Sequence, residues 1–544
     1  MTRVDTELAL LVDVGSAWTK ASVVARARGR WRLVAHVAQP TGWGDDELRR
    51  TLVDDLARSA DARLTDRLAA LVAGANRIES HSPRRSGRIA VVAVSRELSG
   101  GSARRASEAA GWEVAEMVTL DDGRSLAQRL SALGSVDVDA WLLAGGFDGT
   151  RSQRALEAAA LVAAARRPGA GQVVWAGAAD LAAQVEGLFE AGAVLVVESP
   201  RPDARREELG PLRSALAELL RATLGGEEQV GVTTDALPRA VSALARTTGL
   251  RVLAVDVGAR GAIRALAGPD GAVVSRVHAR GGLAGLSSVP GAAARVARLA
   301  GDAGDDAAVA DLLQTIRARP ATLPQTLEEV AATQAAAVVA LSSALDEGPP
   351  GGFDLLVGCG RSVACAPAPS QAARMLLDGV RPVGVTQLAL DGASVLGPLG
   401  TLAVDEIGEG LALLGDDLLI PLGTAVVTRG GEPGRMAMRV TVHRPGWPAS
   451  QPIEVRTGQV QVLPLARGQE AELHIEVGAG VSLAAARRSA RITALATGGS
   501  VGLILDARGV PVALPRRADD RRAMLASWRD AFGREAPAGV ERIA

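Results

Sequence analysis

The chain has 544 residues, 48% hydrophobic and 22% charged, and its 60 basic and 61 acidic residues leave a formal net charge of -1. That balance argues against extended disorder and removes any electrostatic ground for nucleic acid or a membrane surface as the main partner. Two cysteines and five histidines are too few for a disulfide framework or a zinc site, and no apolar run reaches the length of a membrane span.

Residues 8–12 are apolar, Gly15-Ser16 supply a turn, and residues 21–24 resume a short β-branched run, which predicts strand, turn and strand. From 45 to 73, leucines recur at helical spacing between charged residues. Strands are then predicted at 88–94, 140–144, 172–176 and 193–197, with helices at 102–110, 154–166 and 181–188. Such alternation indicates α/β layers around a largely parallel sheet. A second cycle opens with a strand at 251–255, the turn Asp256-Val257-Gly258 and a return strand at 262–267, followed by a helix at 327–345 and a strand at 354–357. Asp13-Val14-Gly15-Ser16 and Asp256-Val257-Gly258-Ala259 thus read as equivalent points in two related halves. Beyond about residue 404 come short β-rich runs at 438–442, 460–463, 471–477 and 491–495, then a helix at 517–532.

The segment from Asp13 to Lys20 carries the sharpest chemistry. A Gly-Ser turn after a strand ending in Asp presents backbone N–H groups to a phosphate, and the carboxylate can hold magnesium through its water shell. Gly15 permits close approach, and Lys20 brings a positive charge. Lys20 is the only lysine beside 59 arginines, so its retention points beyond solvation. The same residues also make an ordinary β-hairpin turn. Gly358-Cys359-Gly360 follows a strand, where a Gly-x-Gly turn lets a nucleoside lie against backbone or simply joins strand to helix. Asp506-Ala507-Arg508-Gly509 reads as a hairpin turn, or else as a docking loop with Arg508 exposed. Cys359 and Cys365 read as buried or incidental thiols, and Trp18, Trp112, Trp141 and Trp175 as mostly core.

Taken together, these segments resemble the glutamate mutase accessory proteins of the MutL/GlmL type, within the actin, sugar-kinase and heat-shock-chaperone ATPase superfamily. Asp13 to Lys20 is similar to that superfamily's first phosphate loop, Asp256-Val257-Gly258 to its second, and Gly358-Cys359-Gly360 to its adenosine-side turn. Leu142-Leu143-Ala144-Gly145-Gly146-Phe147-Asp148-Gly149, Val173-Val174-Trp175-Ala176-Gly177 and the stretch from Gly502 to Gly509 resemble segments of the family itself. The resemblance implies an α/β, two-lobed actin-like (ribonuclease H-like) fold: a first lobe over 1–250, a second over 251–403, and a C-terminal β-rich domain over 404–544 ending in a helix. It implies ATP and magnesium as cofactors, with Asp13 on magnesium, Gly15, Ser16 and Lys20 on phosphate, Asp256 and Gly258 in the second phosphate loop, and Gly358 and Gly360 on adenosine. The implied role is a chaperone or reactivating factor for an adenosylcobalamin-dependent mutase, and the lack of a secretory-signal pattern or membrane-length apolar run makes a cytoplasmic location the default expectation.

This chain departs from the family where Gly-Gly-Ala-Thr-Thr-Asp is expected: it carries Gly258-Ala259-Arg260-Gly261-Ala262-Ile263. The Thr and Asp that would bind phosphate and position water are missing, so the expected activity is at most a weak ATPase. Ala178 stands where the family has Asn, and Arg361 where it has Gly. A non-catalytic scaffold acting by protein contact is the alternative. A small-molecule kinase is the third reading, and it lacks a carboxylate base at 259–264.

Overall fold

A computed structural model of the chain describes residues 8–533, apart from 28–29, 59–64, 83–86, 150–151, 225–231, 279, 302–305, 344–351, 404–405, 409, 412–414, 484–490 and 511. The chain divides into two compact units, one of Met1–Ser82, Gly231–Ser275 and Arg280–Ala544, the other of Pro83–Val230 and Arg276–Ala279.

The first unit opens with strands β1 (Leu8–Val14), β2 (Trp18–Ala27), β3 (Arg30–Pro40) and β4 (Asn76–His81), in the sheet order β3-β2-β1-β4. β1 is antiparallel to β2 and parallel to β4. It is apolar almost throughout because both its faces are covered. Leu10 and Val12 pack with Leu48 and Leu52 of the Asp45–Arg58 helix, while Leu11 packs with Leu237 and Val241 of the Thr233–Thr248 helix.

The second unit holds a five-stranded parallel sheet of β5 (Arg88–Ala93), β6 (Glu113–Thr119), β7 (Ala140–Gly145), β8 (Gln172–Gly177) and β9 (Val194–Val196), ordered β6-β5-β7-β8-β9. Two apolar clusters close over it. One contains Leu133, Ala159 and Val162 with Trp175, the other Ala103, Ala106, Leu212 and Leu216 with Trp112. Residues 1–250 are thus divided between the two compact units. The stretch 83–230 completes a core of its own, whereas 8–82 and 231–250 pack with the rest of the chain. Its chain leaves and returns beside a single parallel bridge between His81 and Val232.

Back in the first unit, β10 (Val252–Val257), β11 (Ala262–Ala267), β12 (Val273–His278), β13 (Leu355–Cys359) and β14 (Gly384–Leu390) repeat the opening pattern. β10 is antiparallel to β11 and parallel to β13. The Thr233–Thr248 helix serves both repeats, since Ala254 of β10 and Leu11 of β1 share its apolar cluster. On the other face of β10, Leu253 and Val255 pack with the Leu327–Ser343 and Pro369–Val380 helices.

The sheet does not end near residue 404. β15 (Ile420–Val427) pairs with β14, and the order runs β12-β11-β10-β13-β14-β15-β23-β19, with β16 (Arg429–Gly430), β17 (Met436–His443), β18 (Ile453–Arg456), β19 (Val460–Leu463), β20 (Glu470–Val477), β21 (Val481–Ser482), β22 (Arg491–Thr497) and β23 (Gly502–Asp506) completing the strands described. β-rich as expected, the C-terminal region nevertheless shares the second repeat's sheet, and a boundary at 403/404 would cut between paired strands. A four-stranded antiparallel sheet, β18-β17-β20-β22, covers its end. Alternate residues of β20 are buried, so Leu473 and Ile475 meet Leu503 and Leu505. The final helix, Ala518–Gly533, returns Leu525, Trp528 and Phe532 to the core around β10.

The turn at 506–509 differs from both sequence expectations. No strand follows it among the described residues, and Arg508 is 5% exposed rather than displayed. Its guanidinium pairs with Asp506 at 2.7 Å and with Asp378, on the Pro369–Val380 helix, at 2.6 Å. Two carboxylates, buried Asp506 and half-buried Asp378, hold it inside, and with them its pKa is pushed above the ordinary arginine value despite burial. Trp112, Trp141 and Trp175 are core residues, but Trp18 is only partly buried. Cys359 is buried and Cys365 exposed.

Candidate functional site

Register places the chemistry of the first hairpin. Asp13 lies opposite Lys20 on β2 and level with Ser80 on β4. Lys20 Nζ donates to Asp13 Oδ2, and Ser80 Oγ donates to Asp13 Oδ1 at 3.3 Å. Asp13 and Lys20 are each 8% exposed. Burial alone would depress the lysine, but Asp13, Asp256 and Asp391 together raise its pKa above the ordinary value, so it carries its charge.

The second hairpin has the same geometry with its polar partners removed. Asp256 lies opposite Ile263 and level with Cys359, the positions that Lys20 and Ser80 fill in the first repeat. Without a partner, desolvation dominates and lifts the Asp256 carboxyl to about 6. Both turns close alike, Gly15 N–H donating to Trp18 O at 3.0 Å and Gly258 N–H to Gly261 O at 2.9 Å. Their carbonyls are tied back as well. Thr41 holds Gly15 O and Ala17 O, while the amides of Gly282, Leu283 and Ala284 hold Arg260 O, Gly258 O and Ala259 O. Oxygens that would repel a phosphate are thus already engaged.

A cavity of about 350 Å³ lies over the two turns, lined by Asp13, Gly15, Ser16, Lys20, Asp256, Gly258 and Gly360. Seven of the eight residues singled out from the sequence therefore meet in one place. Gly358 does not, because it lies within β13 against Leu390, Val363 and Leu376. Gly360 has φ +74°, and a Cβ there would stand 2.5 Å from Asp256 Oδ1 and 2.7 Å from Val257 O. Only glycine lets this turn close on the second hairpin. Beside it, Arg361 stacks on Trp18, its guanidinium carbon 3.9 Å from the ring centroid.

The opposite side of the cavity is apolar, formed by Ile316, Leu323, Pro324, Val330, Ala366 and Pro367, with Thr333 and Gln334 as polar points. Nothing in the sequence marked this wall, since its residues come from the helices Asp306–Ala318 and Leu327–Ser343, the loop joining them, and the segment after the Arg361–Ala364 helix. Asp391 was also missed, although Leu390-Asp391-Gly392 ends a strand as Asp13 and Asp256 do. It is 3% exposed and accepts hydrogen bonds from Val395 N (2.8 Å) and Leu396 N (3.1 Å), yet burial lifts its pKa to about 7. His36, whose ring pairs with the Ser22 hydroxyl at 2.9 Å, falls to about 4 through burial and the nearby Lys20 and Arg361.

For magnesium the fit is poor at Asp13. Its two oxygens are taken by Lys20 and Ser80, so the lysine occupies the cation position, and no group of three metal-binding side chains occurs among the described residues. No helix among them is long and apolar enough to cross a membrane.

Comparison with known proteins gives one family. The sequence profile of the family described as MutL protein matches residues 9–347. No curated protein matches the sequence. Among solved structures, component A of the (R)-2-hydroxyglutaryl-CoA dehydratase of Acidaminococcus fermentans is 8% identical, over 74% of this chain and 98% of that one, with a TM-score of 0.26. The activator of the 2-hydroxyisocaproyl-CoA dehydratase of Clostridium difficile, solved with bound ADPNP, is 11% identical over 76% and 98%, with a TM-score of 0.25. The ethanolamine utilization protein EutJ of Carboxydothermus hydrogenoformans is 11% identical over 72% and 88%, with a TM-score of 0.23. The doubled hairpin-plus-parallel-strand places the chain among the α/β actin-like ATPase folds, with an additional β-rich C-terminal region.

Proposed function

The chain belongs to the MutL protein family, and from that premise we propose that it is an ATP-binding accessory protein of an adenosylcobalamin-dependent mutase, such as glutamate mutase. One observation carries the nucleotide half of this reading: both hairpin turns and the Gly360 turn border the same cavity, whose other wall is apolar. Phosphates would lie over the Gly15 and Gly258 turns near Lys20, and a base would fit between Val330, Leu323 and Ala366. Asp256 and Gly258 would hold the second-loop side, and magnesium would enter through phosphate oxygens and water rather than through Asp13 directly. The accessory role rests on the family resemblance; nucleotide binding would act on a partner by as much as it favours one conformation over another.

A second reading has its own support. At 259–263 the second turn offers no side-chain hydroxyl or carboxylate to position water, and Lys20 is committed to Asp13. Those features favour a protein that binds nucleotide without turning it over, or a scaffold that has lost the ligand.

Titration calorimetry of ATP with magnesium into wild type and Ala366→Trp, with phosphate release measured in parallel, separates the readings. Micromolar binding abolished by the bulky residue supports the nucleotide site, and phosphate release then distinguishes an ATPase from a silent binder. Absence of heat in wild type would leave the scaffold. The partner half is tested separately, by co-purification with a cobalamin mutase; a mutase that neither co-purifies nor changes its inactivation rate in the protein's presence would remove it.

A further inference from the structure

A second cavity, of about 250 Å³, lies on the other side of the Leu327–Ser343 helix from most of the first cavity's wall residues on that helix. Its interior is apolar: Ala335, Val338, Leu525 and Trp528 line it, none more than 8% exposed. Its polar lining is of one sign. Arg295, Arg298, Arg374, Arg381 and Arg529 contribute five guanidinium groups against a single carboxylate, Asp378. That carboxylate is already engaged by the buried Arg508, 2.6 Å away.

Arg298 donates to Leu514 O at 3.1 Å and Arg381 to Asp378 O at 3.3 Å, but one pair in the lining is not self-sufficient. Arg374 donates to Gln334 Oε1 at 3.0 Å, a neutral acceptor, and burial together with Arg508 and Arg529 holds its pKa below the ordinary arginine value despite Asp378. Gln334 is 7% exposed, and its Nε2 has no hydrogen-bond partner among the described residues. A buried amide donor without an acceptor is destabilising, so the arrangement asks for an anionic or carbonyl oxygen.

We propose that this cavity binds a small organic anion, a carboxylate or phosphate head carried on an apolar body. The head would be taken by Arg374 and Arg298, with Gln334 within the same lining, and the body would lie against Val338 and Trp528. Guanidinium forks match either head group in bidentate fashion, which is why the chemistry is defined by charge and shape together. Gln334 lines the first cavity as well, so the two sites share that residue, but the anion reading does not require nucleotide to bind.

Calorimetric titration of the full chain with octanoate and with phenyl phosphate tests this, with octan-1-ol and acetate as probes lacking the head or the body. Binding of either amphipathic anion supports the site, and the tighter of the two identifies the head group. Arg298→Gln should weaken it about ten-fold through loss of a charge-assisted hydrogen bond. Val338→Trp should abolish it by filling the cavity, with thermal unfolding confirming that both variants remain folded. Three results would each overturn the proposal: no heat from either anion at millimolar concentration, octan-1-ol or acetate binding as tightly as octanoate, or affinity unchanged in both variants.

Discussion

Lys20 and Asp13 face each other from opposite register positions of the first hairpin, and the only lysine of the chain is spent on that one carboxylate. In the second hairpin the equivalent pair is Ile263 and Asp256. One repeat therefore keeps a charged pair and the other an unpaired acid, although their backbones follow the same path. Lys20→Met leaves a buried carboxylate uncompensated, and we expect a loss of about 3–5 kcal/mol in denaturant unfolding at pH 8. In the double variant Lys20→Met with Asp13→Asn, most of the stability should return at pH 8; failure to recover would show that the lysine acts through packing instead.

Asp391 and Asp256 set a pH dependence of their own. Both carboxyls are raised in the folded protein, to about 7 and about 6, so the native state binds more protons than the unfolded chain above pH 4. Stability from these groups is greatest in acid and declines as pH rises through their folded values. His36, lowered to about 4, works oppositely but only up to its unfolded value near 6.5. Between pH 6.5 and 7.5 the Asp391 contribution is the largest of the three. The melting temperature should fall across that interval in wild type and flatten in Asp391→Asn. An unchanged slope in the variant would rule out Asp391 as its source.

Gly360→Ala tests the contact between the Gly-x-Gly turn and the second hairpin. With φ +74° and Asp256 Oδ1 2.5 Å from the new Cβ, the substitution should cost about 1–3 kcal/mol and push Asp256 out of place. Chemical denaturation reads the cost. Loss of nucleotide binding beyond that expected from unfolding would tie the turn to the cavity.

Truncation after residue 403 should not yield a folded protein. It strips β15, β23 and β19 from the eight-stranded sheet, bares the edge of β14, and removes Leu422, Ala425, Ile504 and Trp528 from the core around β10. Loss of a cooperative thermal transition, or insoluble product, is the expected result. A truncated chain that melts cooperatively would show that the second repeat is self-sufficient.

Much of this architecture could be read from local pattern. β1 and β10 are apolar on both faces and end in Asp-Val-Gly, so each was visible as a strand and the two as a repeat. What escaped was long-range. β4, with sequence Asn-Arg-Ile-Glu-Ser-His, is too polar to read as a strand, yet it supplies Ser80 beside Asp13. Strand order is equally silent: β15 and β23 lie side by side in parallel although β16 to β22 intervene, and no composition shift marks that. Arg508 read as part of a hairpin turn or else as exposed on a docking loop, and its pairing with Asp378, far upstream, as well as with neighbouring Asp506, was not legible locally. At the site, the turn glycines and aspartates announced themselves, but the apolar wall did not, since helices bury such residues everywhere.

The parallel bridge between His81 and Val232 has one further consequence. Whatever lies between those residues begins and ends on a single rung of the host's backbone, with its own sheet and its own two apolar clusters. Such a cassette adds little to the closure entropy of the host, because its termini are brought together by its own folding. A change in the length of that segment should then leave the pairing of the repeated hairpins intact.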